Sequence, residues 1–195
     1  MDGKSALWIL FAYLLGSLPS GFVLARVWGV DILRQGSGNI GATNVMRALG
    51  KKAGFVVLLL DSLKGTLPVV LAQAAAVSPS VQASAGLAAV AGHCFCPWLR
   101  FRGGKAVATS LGVLLALRPA WALWGLGVFA IAYVLCKRVS LASLTAAAAV
   151  FLAAWLDPQD IPLSLRWGTV VLMIFVVLRH GDNIRRLQSG KEPTT

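Results

Sequence analysis

The chain has 195 residues, of which 57% are hydrophobic and only 13% charged, and its mean hydropathy is +0.76. A water-soluble domain carries about a quarter charged residues, so this composition excludes one and specifies an integral membrane protein. The net charge of +11 must then lie mostly outside the hydrocarbon.

Residues 5–25 carry no charge and are long enough to cross a core of ~30 Å, which takes about 20 residues. They run on to Arg26 without a small-residue cleavage site, so a retained helix is expected, not a signal peptide. Ser78-Pro79-Ser80 divides the next apolar stretch into helices near 53–77 and 81–99. Arg118-Pro119 divides 106–136 into a short arm, 106–117, and a longer one. A helix over 139–156 and a last one over 163–178 follow, separated by Asp157-Pro158-Gln159-Asp160.

The expected fold is therefore all-α, a seven-transmembrane-helix bundle forming one membrane domain over 1–195. With the N-terminus outside, the inner segments 26–52, 100–105, 137–143 and 179–195 collect most of the 18 lysines and arginines. The outer side keeps Lys4, Arg118 and Arg166, as the positive-inside rule requires, and the C-terminus is cytoplasmic. Arg26, Arg138 and Arg186 are read as orienting charges that meet anionic headgroups. Cys94, Cys96 and Cys136 lack metal-ligand spacing and read as small buried side chains.

Segment 36–44, "GSGNIGATN", has the G-x-G-x-x-G spacing of a dinucleotide turn. No strand precedes it, and no acidic residue follows about 20 positions on in a soluble unit, so a Rossmann reading fails. A P-loop fails too, because Ala42 stands where its lysine belongs. What remains is the mechanics of a glycine turn whose N–H groups converge on an anion. Ser37, Asn39, Thr43 and Asn44 add donors, and Arg47 adds a charge.

"RFRGGKAVATS" sets Gly103-Gly104 before Lys105 at an expected helix start, a second place that favours anions. "KRVSLAS" contributes Ser140 and Ser143, which also read as caps. "RHGDNIRRLQSGKE" contributes Arg179, His180, Asn183, Arg185 and Arg186. Asp61 and Lys64, inside the second span, fit a pair on one helix face; struts that orient the loops are the first reading, and a place in the site is the alternative. His93 reads as a helix-end side chain with no evident carboxylate to orient it. No metal-site spacing and no defensible Ser-His-Asp order occurs.

Together "GSGNIGATNVMRALGKKAG", "DSLKG", "GHCFCPWLRFRGGKAVATSLG", "KRVSLAS" and "RHGDNIRRLQSGKE" resemble the bacterial acyl-phosphate:glycerol-3-phosphate acyltransferases, the PlsY family, over nearly the whole chain. The resemblance implies a bacterial inner-membrane enzyme working at the cytoplasmic face. It moves an acyl group from acyl phosphate to the 1-hydroxyl of sn-glycerol 3-phosphate, giving lysophosphatidic acid and phosphate. It assigns the donor phosphate to Ser37, Gly38, Asn39, Gly41, Thr43 and Lys105. It assigns glycerol 3-phosphate to Arg47, Lys105, Ser143, His180 and Asn183. Lys105, Arg47, Ser37, Asn39 and His180 are the residues implied in catalysis. No metal, cofactor or nucleic acid is implied. The expected partners are the two substrates and membrane lipid, with functional links to the enzyme making acyl phosphate and to the next acyltransferase. The His-x-x-x-x-Asp pair of acyltransferases using acyl-CoA or acyl-carrier protein is absent: Trp98 and Arg185 stand five residues after His93 and His180. A transporter for an anionic metabolite is the alternative, although no internal repeat is visible and the donors crowd one face.

Overall fold

A computed structural model describes residues 2–194, and among these the ordered elements are all helical. In chain order they are α1 (Gly3–Gly16), α2 (Ser20–Val27), α3 (Ala42–Leu49), α4 (Lys51–Ala74) and α5 (Pro79–Cys94). Then come α6 (Val107–Leu117), α7 (Pro119–Cys136), α8 (Val139–Leu156), α9 (Leu163–Arg179) and α10 (Gly181–Gln188). By length and composition, Gly3–Val27, α4, α7 and α8 suffice to cross a membrane, and α9 with α10, bent by 62°, makes a fifth candidate. At 16 and 11 residues, α5 and α6 fall short of the ~20 residues that a straight crossing needs.

The first span departs from the sequence reading. Instead of one helix over 5–25, the chain breaks at Ser17-Leu18-Pro19. Pro19 cannot donate to the helix ladder, and the break is sealed from α4. Lys64 Nζ donates to the Leu18 carbonyl at 2.7 Å, and the Ser20 hydroxyl donates to Asp61. Asp61 and Lys64 pair at 2.9 Å with both side chains buried. In lipid a freed backbone carbonyl needs such an internal partner. The third span also ends early, because Pro97 interrupts "CFCPW" and a 3₁₀ turn, Pro97–Leu99, replaces the expected helix end.

Small residues bring α4 and α6 together. A Cβ on Gly65 would overlap the Thr109 carbonyl, and one on Gly112 would overlap that of Ser62. Hydroxyls reinforce the seam: Ser62 Oγ donates to Ala108 O at 3.1 Å and Thr66 Oγ1 to Gly112 O at 2.9 Å. Without a hydrophobic drive between helices in lipid, close backbone approach and such hydrogen bonds hold them. The consequence for function is positional, since this seam fixes the start of α6 against α4, and Lys105 stands two residues before that start.

One end of the bundle is tied by Arg118 and Asp157 at 3.1 Å and by Arg166 Nη2 donating to Asp157 O at 3.0 Å. The four segments expected inside meet elsewhere, around a single cavity.

Candidate active site

Residues 36–44 form a loop that closes on Asn44, a buried side chain in the first turn of α3. Asn44 Nδ2 donates to Asn39 O at 2.8 Å and Gln35 O at 3.0 Å, while its Oδ1 accepts from Ser37 N at 3.0 Å. Gly36 and Gly38 take φ of +52° and +66°, the left-handed region that glycine enters without penalty. The expected cradle of glycine N–H groups needs correction here. The Gly38 N–H is bonded to Gln35 O at 2.8 Å and the Gly41 N–H to Asn39 Oδ1 at 2.8 Å. Asn44, expected as a donor to ligand, is likewise spent on the loop. Thr43 and the helix start at Ala42 remain on the cavity wall; the Asn44 N–H bonds Gly41 O at 3.1 Å, which leaves the N–H groups of Ala42 and Thr43 as those without an intrahelical partner.

The second turn is built from a distance. Gly103 N–H bonds Cys94 O at 3.1 Å and Gly104 N–H bonds His93 O at 2.9 Å. From the other side, Arg179 Nε donates to Gly104 O at 2.9 Å and Nη2 to Gly103 O at 2.7 Å. Lys105 does not begin the helix as expected, because α6 starts at Val107 after Ala106 adopts φ of +72°. Its Nζ reaches Asn183 Oδ1 at 2.6 Å.

Asn183 passes the network on. Its Nδ2 donates to Glu192 at 2.6 Å, as do Ser140 Oγ at 2.6 Å and Arg186 Nε at 2.8 Å. Burial alone would raise the Glu192 pKa, but these three hydrogen bonds outweigh it and hold the carboxyl below its ordinary value. Lys105 is pulled down to about 8, by burial first, with Glu192 opposing and Arg186 and Arg47 adding to the fall. His180, in the turn between α9 and α10, lies at about 4, again chiefly from burial. Its Nδ1 sits 2.8 Å from Val176 O. A carbonyl only accepts, so Nδ1 holds the proton and Nε2 keeps an open lone pair.

These parts enclose a cavity of about 470 Å³. Ser37, Asn39, Gly41, Thr43, Arg47 and Lys105 line it, and so do Ser143, His180 and Asn183. Gly38 is absent from its wall and shapes the loop beneath. Arg186, read as an orienting charge, and Lys51 also line it. Glu192 and His93 were missed as wall residues, and Asp61, open between strut and site, also lines the cavity. The signal for Glu192 was a carboxylate following Arg185, Arg186 and Lys191 in the tail. His93 does have a carboxylate beside it, since Asp61 Oδ1 lies 3.8 Å from its Nδ1.

An apolar groove of about 190 Å³ lies beside the cavity, among α6, α7, α8 and α9. Leu58, Val107, Ala108, Phe129 and Ser143 belong to both walls. From Val107 to Leu114 on α6 and from Ser143 to Val150 on α8, the groove walls follow two helical turns, roughly 10 Å at 1.5 Å per residue. Polar anion donors thus adjoin a slot for hydrocarbon. Among the described residues no cluster of His, Cys, Asp or Glu is grouped to hold a metal.

A family model described as glycerol-3-phosphate acyltransferase matches residues 6–190. The glycerol-3-phosphate acyltransferase of Geotalea daltonii is 46% identical over 185 residues, 94% of each chain. That of Aquifex aeolicus is 42% identical over 190 residues, 97% of this chain and 98% of its own. Crystal structures of PlsY (YgiH), an integral membrane glycerol 3-phosphate acyltransferase, share the fold. The glycerol 3-phosphate form has a TM-score of 0.94 at 41% identity, covering 99% of this chain and 96% of that one. The lysophosphatidic acid form has a TM-score of 0.91 at 41% identity, covering 98% and 95%. With its helices, its cation-lined cavity and these relatives in agreement, the chain belongs to the glycerol-3-phosphate acyltransferase family, the integral membrane enzymes of the PlsY type.

Proposed function

We propose that the protein transfers a fatty acyl group from acyl phosphate to the 1-hydroxyl of sn-glycerol 3-phosphate, the first step of bacterial phospholipid synthesis. The observation that carries this reading is the shared wall between the cationic cavity and the apolar groove. Ser37, Asn39, Gly41 and Thr43, on the loop that Gly38 shapes, hold the donor phosphate with Lys105. Arg47, Lys105, Ser143, His180 and Asn183 hold the acceptor. The acyl tail enters the groove beside Leu58 and Phe129, which leaves the carbonyl between the two phosphates.

In the reaction the acceptor hydroxyl oxygen bonds the acyl carbon and the bond from that carbon to the phosphate oxygen breaks. The hydroxyl proton passes to an oxygen of the departing phosphate, so the donor serves as its own base. The protein contributes position and positive charge. No metal or cofactor enters this scheme. Incubation with palmitoyl phosphate and glycerol 3-phosphate tests it, with phosphate and lysophosphatidic acid expected in equal amounts. Purified, folded protein that makes neither overturns it.

The same reading takes 1–195 as one membrane domain of seven spans in the bacterial inner membrane, with α5 and α6 as short arms beside the site. The N-terminus is outside and the site faces the cytoplasm. In a background without native cysteines, Gln159→Cys should react with an impermeant thiol reagent outside intact cells. Gln188→Cys should react only after permeabilisation, and the reverse pattern would put the site on the wrong side for a cytosolic acceptor.

A further inference from the structure

His93 is 3% exposed and lies on the wall of the polar cavity. Its Nδ1 has no hydrogen-bond partner and faces Asp61 Oδ1 at 3.8 Å. Asp61 is itself fixed by Lys64 and by the Ser20 hydroxyl, so the imidazole stands on a rigid base provided by α4. Above the ring lies the glycine turn. A methyl group built on Gly104 would overlap His93, and the three heavy atoms nearest to it all belong to that imidazole. The residue after this glycine is Lys105.

We propose that His93, seated against Asp61, is a positioning residue for Lys105. The ring is the floor on which the Gly103–Gly104 turn lies, and Arg179 holds the turn's carbonyls from the other side. The peptide groups before Lys105 therefore have one arrangement, and the ammonium is aimed before any ligand arrives. Pre-organised charge of this kind raises affinity because little ordering remains to be done on binding. An apolar ring would give the same floor. A polar ring retained there, with its Nδ1 unpaired at a desolvation cost, matches the line of charges from Lys64 through Asp61 toward the cavity. The proposal rests on the acyltransferase reading above, in which Lys105 binds the acceptor phosphate.

The collision at Gly104 supplies the test, because Gly104 does not have the positive φ that would strain a larger residue. Gly104→Ala should raise the KM for glycerol 3-phosphate by about tenfold or more and change kcat far less, the signature of lost binding. In His93→Ala, where the ring is gone, adding Gly104→Ala should cost almost nothing further, the non-additivity expected of groups in contact. His93→Asn with and without Gly104→Ala provides a second cycle should the alanine variant fail to fold. Calorimetric binding of glycerol 3-phosphate in detergent follows the same effect without turnover.

Wild-type protein without acyl transfer would overturn the functional reading on which this stands. Active wild type with additive losses in both cycles would overturn the positioning role alone. So would a kcat collapse at unchanged KM in folded His93→Ala, which would make His93 a proton-transfer group.

Discussion

The loop 36–44 closes on its own side chains, whereas the Gly103–Gly104 turn is held by His93, Cys94 and Arg179, the last some 75 positions away in sequence. Both are glycine turns beside one cavity, and in both the bonded glycine N–H groups, those of Gly38, Gly41, Gly103 and Gly104, hold the turn itself. The first is a local structure that Asn44 completes, so its shape is written within a dozen residues. The second is a tertiary structure, set only once α5, α6 and α9 have packed. Damage to the first loop should follow from changes inside it, while the second should also fail from a distance.

The largest effect expected from this contrast is Asn44→Ala. It strips the buried keystone of the first loop and leaves Ser37 N–H, Gln35 O and Asn39 O without that partner. These bonds are part-buried, and Gln35 and Ser37 are exposed, so water offsets part of the ~1–3 kcal/mol that each lost partner costs in a buried site; about 1.4 kcal/mol is tenfold in rate. A fall of roughly a hundredfold or more in kcat/KM for acyl phosphate follows, measured by phosphate release. Asn44→Asp should fare no better, since a carboxylate would face two carbonyl oxygens. A loss within about threefold would mean that the loop closes without Asn44 and that its self-contained plan is wrong.

Lys105→Ala and Arg47→Ala come next. In the proposed function each removes a charge-assisted contact worth about 1.5–3 kcal/mol, so kcat/KM for glycerol 3-phosphate should fall by roughly tenfold to a hundredfold. The control is Lys52, which is exposed and absent from the cavity wall; Lys51 is unsuitable because it lines the site. Equal losses at Lys52, Lys105 and Arg47 would mean that these charges orient the protein and that neither turn is the anion site.

How much of this was legible beforehand follows the same division. Helix breaks at Ser78-Pro79 and Arg118-Pro119, and the gathering of four inner segments, could be read because proline and charge act locally. The break at Ser17-Leu18-Pro19 carried a local signal, Pro19, but its stability depends on Lys64 reaching across from α4. The approach of Asp61 to His93 joins residues on different helices, and no spacing along the chain encodes it. Glu192 was invisible for a related reason. A tail carboxylate gains meaning only when Ser140, Asn183 and Arg186 converge on it. The roles of the glycines were misjudged because sequence shows that a turn can curl, not which partner its N–H groups find.

A pH series sharpens the tertiary half of the comparison. Burial brings Lys105 to about 8, and in the proposed function acceptor binding needs its charged form. As pH rises through that value the free enzyme loses the charge, so KM for glycerol 3-phosphate should climb, approaching tenfold per pH unit above it. The acceptor phosphate, with a second pKa of about 6, is already dianionic there. Lys105→Arg keeps its charge throughout, so its KM should stay level from about pH 7 to pH 10 whatever its absolute value. A wild-type KM that is also level would place the acceptor charge on another residue.

The smallest effect on kcat is expected at His180, and it decides which side of the cavity takes the proton. If the first loop presents the donor phosphate, that phosphate is the base and His180 only receives the acceptor hydroxyl on Nε2. A histidine near 4 is a poor base at neutral pH, where the best catalytic bases titrate close to the working pH. His180→Gln removes the ring lone pair while leaving a polar side chain. KM for glycerol 3-phosphate should rise several-fold, and at saturating acceptor kcat should stay within about threefold of wild type. A pH–rate profile should keep its shape in the variant, because the group that titrates in the reaction has not been removed. A kcat fall of about a thousandfold with unchanged KM, in folded protein, would make His180 the general base. The first loop would then hold a leaving group and nothing more.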